Sequence, residues 1–554
     1  MAATDEYQFK PHERPMMPGS PATPEHPVRR RILYFLIGVL LGITGGFANG
    51  MLTVNLPQIQ GSLGLTPSQG AWLTAAYSMT NVCTSMVLVK TRQQFGMQRF
   101  TRVFIAAFVL LNLAQVLAHS YATEVVVRAA SGIVGSALSS LTLFYVMQAM
   151  PAAAWMAGII IGIGITQIAL PLARVISPLL LYDGDIRNLF LFELGLAVTC
   201  FGAVMLLRLP PSNTIKAFEK LDFLTLVLFV PGVALLSAVL AQGRIIWWSA
   251  EWLGVALAIA IPMIGAALII EHNRVNPMLN TRWISSGAVI RFAAIAAVMR
   301  LVLSEQQIGA TGMMTALGMQ NDQMVTLFGY ATLASIAALV IGLLRLDMKD
   351  LLRPVLVSLA LIAVGCFMDA GSVSLTRPGN LYLSQSMLAF AAIYFLGPTM
   401  MTGMLKAIAK GPSHIVSFSA VFSISQSLGG LGGAALLGSL QIIRQKYYGN
   451  ELAQSIVLTD PIAADRVRQL AASYARVLTD PAKLQTQGLT QLQTQMLREA
   501  AVLAYNDVFL VSGLVAALAF LWLGARWVYY RANNINPLAE DLAALQRMRM
   551  EQAK

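Results

Sequence analysis

The chain repeats one feature fourteen times: an apolar stretch about as long as a bilayer span. These stretches fall at 32–57, 69–89, 103–121, 123–147, 156–182 and 188–207, then at 222–242 and 250–270. Six more follow, at 288–310, 322–343, 354–373, 380–405, 413–443 and 501–530. A helix needs about 20 apolar residues to cross about 30 Å of hydrocarbon. Lipid offers no partner for backbone polar groups, so the spanning options reduce to helices and closed barrels, and runs of this length select helices. Only 12% of the 554 residues are charged, against about 25% in soluble proteins. The expected fold class is therefore all-α and integral to a membrane.

The positions of Lys and Arg orient the spans. With the N-terminus inside, the cytoplasmic loops and tails collect most of the 38 basic residues, while the short external loops hold only Arg187, Arg244 and Arg377. This follows the positive-inside bias, so the net charge of +12 calls for no nucleic-acid partner. Both termini are expected in the cytoplasm, and the bilayer is the first partner. Residues 1–31 are proline-rich and polar, a composition that predicts a disordered cytoplasmic tail. Residues 531–554 place Leu538, Leu542 and Leu545 on one face, which predicts an amphipathic helix on the cytoplasmic leaflet. One external connection, 444–500, is long. Asp460-Pro461 and Asp480-Pro481 each supply an N-cap followed by proline at the first helical position. Val467, Leu470, Tyr474 and Leu478 form one apolar stripe. A helical projection is expected there.

Charges at membrane depth cost roughly 2.5–3.5 kcal/mol each on insertion scales and are candidates for function. Arg128, Arg174 and Glu193, with Glu124 one turn before Arg128, fall in the outer part of the first six spans. They are candidates for a proton-responsive charge network in which Glu193 carries the proton. Arg300, Glu305 and Asp369 form a candidate counterpart in the last six, and Asp507 is a further acid. Gly158, Gly162, Gly429 and Gly433 suit close helix packing, and Pro171 and Pro178 suit a hinge. Met79, Phe144, Tyr145, Met313 and Met314 are candidates for an apolar pocket. The three cysteines have no CxxC or CxxH neighbour, and neither a disulfide nor a metal site is expected. No phosphate-binding Gly-Lys-Ser/Thr loop, HExxH helix or GxSxG elbow occurs. The chain reads as neither an enzyme nor an ATP-driven pump, with no cofactor.

Several local motifs carry a family resemblance. Thr53-Val54-Asn55-Leu56-Pro57 closes the first span, and Ser68-Gln69-Gly70-Ala71-Trp72 opens the second. A basic loop from Lys90 to Arg102 keeps Gly96. Arg128 is followed by Gly132, and Arg345-Leu346-Asp347-Met348-Lys349 matches the corresponding loop of the second half. Together these resemble the 14-span EmrB/QacA-type drug:proton antiporters of the major facilitator superfamily, with degenerate coupling motifs. The family's leading Gly, Asp and following basic residue in the loop align with Val89, Gln93 and Gln94. Its span-one acid aligns near Ala48 and Asn49, and its Gly-Pro motif in span five with Arg174-Val175.

The resemblance implies a 6+2+6 arrangement: two pseudo-symmetric six-helix bundles at 32–207 and 288–530, with two inserted helices at 222–270. It implies a cytoplasmic gate loop of Lys90, Arg92, Gln93, Gly96 and Arg99. The implied function is proton-coupled export of small amphipathic compounds from a bacterial inner membrane, as in multidrug efflux. Export of one metabolite, such as a siderophore or aromatic acid, and a transport-inactive sensor or scaffold are the alternatives. The implied partners are a periplasmic membrane-fusion adaptor docked on 444–500 and, beyond it, an outer-membrane channel.

Overall fold

The computed structural model describes residues 13, 15, 18–118, 120–151, 154–181, 184–348, 350–411, 414–457, 459–544 and 547. The described residues form helices and connecting turns. The first bundle comprises α1 (Val28–Val54), α3 (Pro67–Phe95), α4 (Met97–Leu117), α5 (Tyr121–Ala149), α6 (Trp155–Leu180) and α7 (Arg187–Leu206), with a short α2 (Leu56–Leu63) after α1. Next come the inserted pair, α8 (Lys220–Ile246) and α9 (Glu251–His272), and a single turn, α10 (Thr281–Ile284). The second bundle comprises α11 (Gly287–Leu303) with its continuation α12 (Gly312–Ala316), α13 (Val325–Leu344), α14 (Leu352–Asp369) and the broken pair α15 (Tyr382–Tyr394) and α16 (Leu396–Lys410). It is completed by α17 (His414–Ser455) and α19 (Pro481–Ala532), which flank α18 (Pro461–Ala472).

Among the described residues, thirteen helices are long and apolar enough to cross a membrane. Helix α3 has the length, 29 residues, but a more polar composition, and the structure gives the reason. Thr80 Oγ1 donates to Ala129 O at 2.7 Å and Asn81 Nδ2 to Gly132 O at 3.0 Å, so its polar groups are satisfied against α5. The packing needs Gly132, where an added Cβ would lie 2.1 Å from Thr80 Oγ1 and 2.3 Å from Tyr77 O.

Each bundle has its own apolar core. One is built on Leu41, Phe100, Leu138, Tyr145 and Cys200, the other on Val302, Leu359, Leu388, Phe395 and Ala516. Helices α8 and α9 share a third core with α3 and α17, around Val82, Phe229, Ala267 and Val416. The insert therefore leans on both bundles. Gly158 and Gly162 bring α6 onto α5, where added Cβ atoms would lie 2.9 Å from Met147 Cα and 3.0 Å from Leu143 Cα. Gly429 and Gly433 bring α17 to within 2.7 and 2.6 Å of the Ala297 and Leu301 carbonyls of α11 by the same measure.

Helices α17 and α19 have 42 and 52 residues, about 63 and 78 Å at 1.5 Å per residue, more than twice the roughly 30 Å of a bilayer core. Their excess length, with α18 between them, forms the helical projection expected for 444–500. Asp460 and Asp480 cap α18 and α19 by accepting from Ile462 N at 2.9 Å and Ala482 N at 3.0 Å. The apolar stripe is covered by the chain itself: Val467 is buried against Gly488 of α19, and Tyr474 Oη accepts from Gln491 Nε2 at 2.8 Å.

Two tails depart from expectation. Residues 18–27, expected to be disordered, are docked. Gly19 N donates to Asn213 O at 3.1 Å, Ala22 N to Pro211 O at 3.0 Å, and Gln148 Nε2 to Ala22 O at 2.7 Å. This segment gains order from backbone acceptors on the 208–213 loop and the Gln148 side chain of α5, which its apolar content could not supply. The chain after α19, expected to lie on the leaflet, folds back onto the bundles. Leu538 is buried with Ile159 and Ile160 of α6 and Met401 and Leu405 of α16, and Lys406 Nζ pairs with Asp541 Oδ2 at 3.1 Å. Apolar side chains at those helix ends give the leucines a protein surface to cover. Residues 1–12 and Leu545 lie outside the described residues.

Candidate functional site

A cavity of about 1140 Å³ lies between the two bundles. Polar side chains from α3, α5, α6 and α17, among them Asn81, Ser139, Gln167 and Gln426, share its wall with Phe144, Met400, Met404, Phe418 and Phe422. At the end nearer the N-terminus the docked segment forms part of the wall, with Pro18, Gly19, Pro21 and His26. His26 Nε2 lies 3.0 Å from Gln148 Oε1, and burial lowers the imidazole's pKa below its ordinary value, helped by Arg30 and Arg31. The docked ring is thus favoured in its neutral form.

At the opposite end the bundles touch. Asn321 Nδ2, just before α13, donates to Val54 O at 3.1 Å and Asn55 Oδ1 at 3.2 Å, and the Arg174 guanidinium of α6 lies 4.6 Å from the Phe328 ring centre of α13. Nearer the N-terminal end, Ser423 Oγ of α17 donates to Val82 O of α3 at 2.9 Å.

Of the charges expected to gather in the first six spans, Arg128, Glu124 and Glu193 lie near one another and Arg174 does not. Arg128 donates to Ala48 O at 2.5 Å and Asn49 Oδ1 at 2.9 Å, with its guanidinium 5.0 Å from the Tyr77 ring centre. It therefore meets the α1 positions that align with the family's span-one acid. Glu124 does not pair with Arg128; Oε2 accepts from Gln115 Nε2 at 2.5 Å. Glu193 is buried, lies close enough to Arg128 and Glu124 to feel both charges, and makes no ion pair within 4 Å among the described residues. Arg174 faces the other bundle, and Asp507 is held by Arg444 and Tyr448 at the base of the projection. Phe144 lines the cavity, whereas Tyr145, Met313 and Met314 belong to cores.

In the second bundle Glu305 and Asp369 do meet, without Arg300. Gln385 Nε2 donates to Asp369 Oδ2 at 2.8 Å and to Glu305 Oε1 at 3.3 Å. Glu305 is 0% exposed, and its Oε2 and the Gln385 Oε1 have no hydrogen-bond partner among the described residues. The helix after Glu305 widens into a π-turn at Gln306–Thr311, a local irregularity that recurs at functional sites. Gln306, in the cavity wall, donates to Gln385 O at 3.2 Å. Gln385 therefore bonds the acid pair through its side-chain amide and the cavity-wall Gln306 through its backbone carbonyl. Sequence reasoning missed Gln385, since a glutamine in an apolar stretch carries no charge signal.

The residues expected in a gate loop are not a loop: Lys90, Arg92 and Gln93 lie in the last turns of α3 and Arg99 in the first turn of α4, with only Gly96 between the helices, and they are anchored where no motif pointed. Lys90 Nζ pairs with Asp222 Oδ2 at 2.5 Å, and Asp222 Oδ1 accepts from Arg274 Nη1 at 2.8 Å. Arg274 also pairs with Glu271 at 2.6 Å and Glu219 at 2.9 Å. Burial pulls the Arg274 pKa down, but these three carboxylates outweigh it and raise it above the ordinary value. Asp222 is 0% exposed. The network joins α3 to the inserted pair, in a region where the sequence offered only an acid opening a span on the basic side. Arg92 turns into the cavity, donating to Ser140 Oγ at 2.5 Å and lying 4.7 Å from the Phe144 ring centre. Gln93 O accepts from Ile215 N at 2.8 Å, Gly96 caps α3 at φ +77°, and Arg99 is exposed. Pro171 lines the cavity, and both it and Pro178 sit inside α6.

Solved structures share this architecture. The human organic anion transporter MFSD10 (TETRAN) aligns over 89% of this chain and 100% of its own, with a TM-score of 0.52 at 12% identity. The proton:xylose symporter XylE gives 0.52 at 12% identity over 88% and 95%, and PepTSo2 gives 0.54 at 12% over 91% and 99%. A curated relative, multidrug resistance protein Stp of Mycobacterium tuberculosis (strain CDC 1551 / Oshkosh), is 27% identical over 261 residues, which are 46% of this chain and 47% of that protein. The match thus spans about half the length of that relative. The model of the Major Facilitator Superfamily matches residues 38–434; with two helical bundles around one central cavity, the chain belongs to that superfamily.

Proposed function

We propose that this membrane transporter is a proton-coupled exporter of small amphipathic compounds, of the 14-span EmrB/QacA type, seated in a bacterial inner membrane with both termini in the cytoplasm. The observation that carries the proposal is the link from the acid pair to the cavity. Glu305 and Asp369 are buried, share one amide donor and face no cation within ion-pair distance among the described residues. Two carboxylates so placed cannot both stay ionised without a large burial cost, so the pair is a proton store. Gln306 connects it to the cavity wall, so a bundle movement that rearranges the wall also changes what surrounds the acids. The cavity's mixed polar and apolar wall suits an amphipathic guest, and the partial likeness to a multidrug resistance protein favours efflux. Rocking of one bundle against the other would open the end now closed by Asn321 and Arg174.

The exposed residues of the projection, such as Ile462 and Val477, are the proposed contact for a membrane-fusion adaptor leading to an outer-membrane channel. The transport reading is tested in cells lacking their main pumps and loaded with a hydrophobic dye. Efflux should stop when an uncoupler collapses the proton gradient. Efflux that ignores the uncoupler and follows ATP would reject it.

A further inference from the structure

Around the cavity, the charges are not balanced. Its charged wall residues are Arg31, Arg92 and Arg300, with Glu25 and His26 on the docked N-terminal segment. Arg31 Nε donates to Ala149 O at 2.8 Å, and Arg92 is occupied by Ser140 and Phe144. Arg300 differs from both. Its guanidinium makes no hydrogen bond, ion pair or ring contact among the described residues, although it sits within a membrane-spanning helix and lines the cavity. Its side chain runs beside α17 where Gly430 leaves room: an added Cβ there would lie 3.4 Å from Arg300 Cγ and 3.6 Å from Nε. Glu305, five residues later, points its carboxylate to Gln385 and does not reach the guanidinium within 4 Å.

Holding a cation at this depth is costly, and the usual compensation is a carboxylate from a neighbouring helix. Here the helices supply none. A guanidinium presents a planar fork of donors that matches a carboxylate, sulfonate or phosphate in two parallel bonds. In the same cavity wall, Phe418, Phe422, Met400 and Met404 offer an apolar surface. A cationic drug would meet Arg92 and Arg300 with no acid at membrane depth in the cavity wall.

We infer that the transported class is the amphipathic organic anion, with Arg300 binding its acidic group and the Phe/Met wall its apolar body. The inference rests on the cavity being the transport site. It specifies the sign of the substrate, which the superfamily fold leaves open.

The test uses three probes of one shape: naphthalene-2-carboxylate, its neutral carboxamide, and 2-naphthylmethylammonium. Binding is measured by calorimetry on the full-length protein in nanodiscs. The carboxylate should bind about tenfold or more tighter than the carboxamide, with the ammonium weakest. Arg300→Gln should remove the preference, Arg300→Lys should keep part of it as a point charge, and Arg300→Glu should invert it toward the ammonium. Thermal melting of each variant checks that it is folded, and Arg300→Lys keeps the test decisive if the others are not. Equal binding of all three probes, a preference for the ammonium, failure of all three to bind, or an unchanged preference in Arg300→Gln would each overturn the inference. Proteoliposome transport separates it from the reading beneath it. Transport of the ammonium or carboxamide alone would refute the anion and leave the exporter standing. Arg300-dependent carboxylate binding with no transport of any probe would keep the anion site and refute the exporter.

Discussion

The buried network around Asp222 makes a quantitative prediction. Its carboxylate, 0% exposed, accepts from Lys90 Nζ at 2.5 Å, Arg274 Nη1 at 2.8 Å and Glu219 N at 2.9 Å. Asp222→Ala removes all three acceptor contacts. Arg274 keeps Glu271 at 2.6 Å and Glu219 at 2.9 Å, so its loss is partial. Lys90, whose side chain is 11% exposed, keeps no carboxylate. Removing one partner of a buried pair costs about 3–5 kcal/mol because the other charge is left uncompensated, and most of that cost should fall on Lys90. Lys90→Met removes the stranded ammonium. The double variant should therefore recover on the order of 2 kcal/mol relative to the sum of the single ones, within the range for residues in contact. The assay is a double-mutant cycle by chemical unfolding of the purified protein in mixed micelles, with Arg99→Ala as a control at an exposed position. Additivity within about 0.5 kcal/mol, or an Asp222→Ala variant as stable as the parent, would refute the reasoning.

Three further outcomes follow from the structure. Glu305→Gln should abolish gradient-driven accumulation while sparing substrate exchange without a gradient and the melting temperature; gradient-driven accumulation at the parent's rate would exclude Glu305 as the proton holder. Since burial lowers the His26 pKa, the undocked segment binds the proton more readily, so docking should weaken as pH falls below about 6.5 and stay constant above it. Ala22→Cys, in a background without the natural cysteines, should label faster at pH 5.5 than at pH 8 after normalisation to unfolded protein at each pH, and His26→Phe should flatten the difference; a rate that falls on acidification would contradict the docking chemistry. Replacing residues 452–495 with a short Gly/Ser linker should spare insertion and abolish adaptor co-purification; retained co-purification with full resistance would locate the contact elsewhere.

What the sequence made legible was what single helices dictate. Span lengths, the Asp-Pro starts of α18 and α19 and the excess length before the last span depend on local periodicity and capping, and each has its counterpart in the structure. Helix α3 was also legible despite its polarity, because Trp72, Ala76 and Val82 still mark a span among the threonines. What stayed hidden depends on which residues meet across distant helices. Arg174 was grouped with Glu193 by depth, yet helix rotation turns it to Phe328. Arg300 and Glu305 share a helix, yet only Glu305 reaches Asp369 and Gln385. Residues 18–27 lack the apolar content to fold alone and become ordered only because the 208–213 loop offers backbone acceptors and Gln148 its side-chain amide. Composition describes a segment, whereas docking depends on the surface it meets.

The proposed function ties substrate movement through the cavity to proton movement. Sealed proteoliposomes containing the purified protein and a pH-sensitive dye in the lumen, with no ATP and no imposed gradient, show whether the two go together. Adding naphthalene-2-carboxylate outside should drive a luminal pH change that a protonophore abolishes, that is absent from protein-free vesicles, and that Glu305→Gln eliminates. Substrate uptake with no accompanying pH change, or the same pH change in Glu305→Gln, would contradict it.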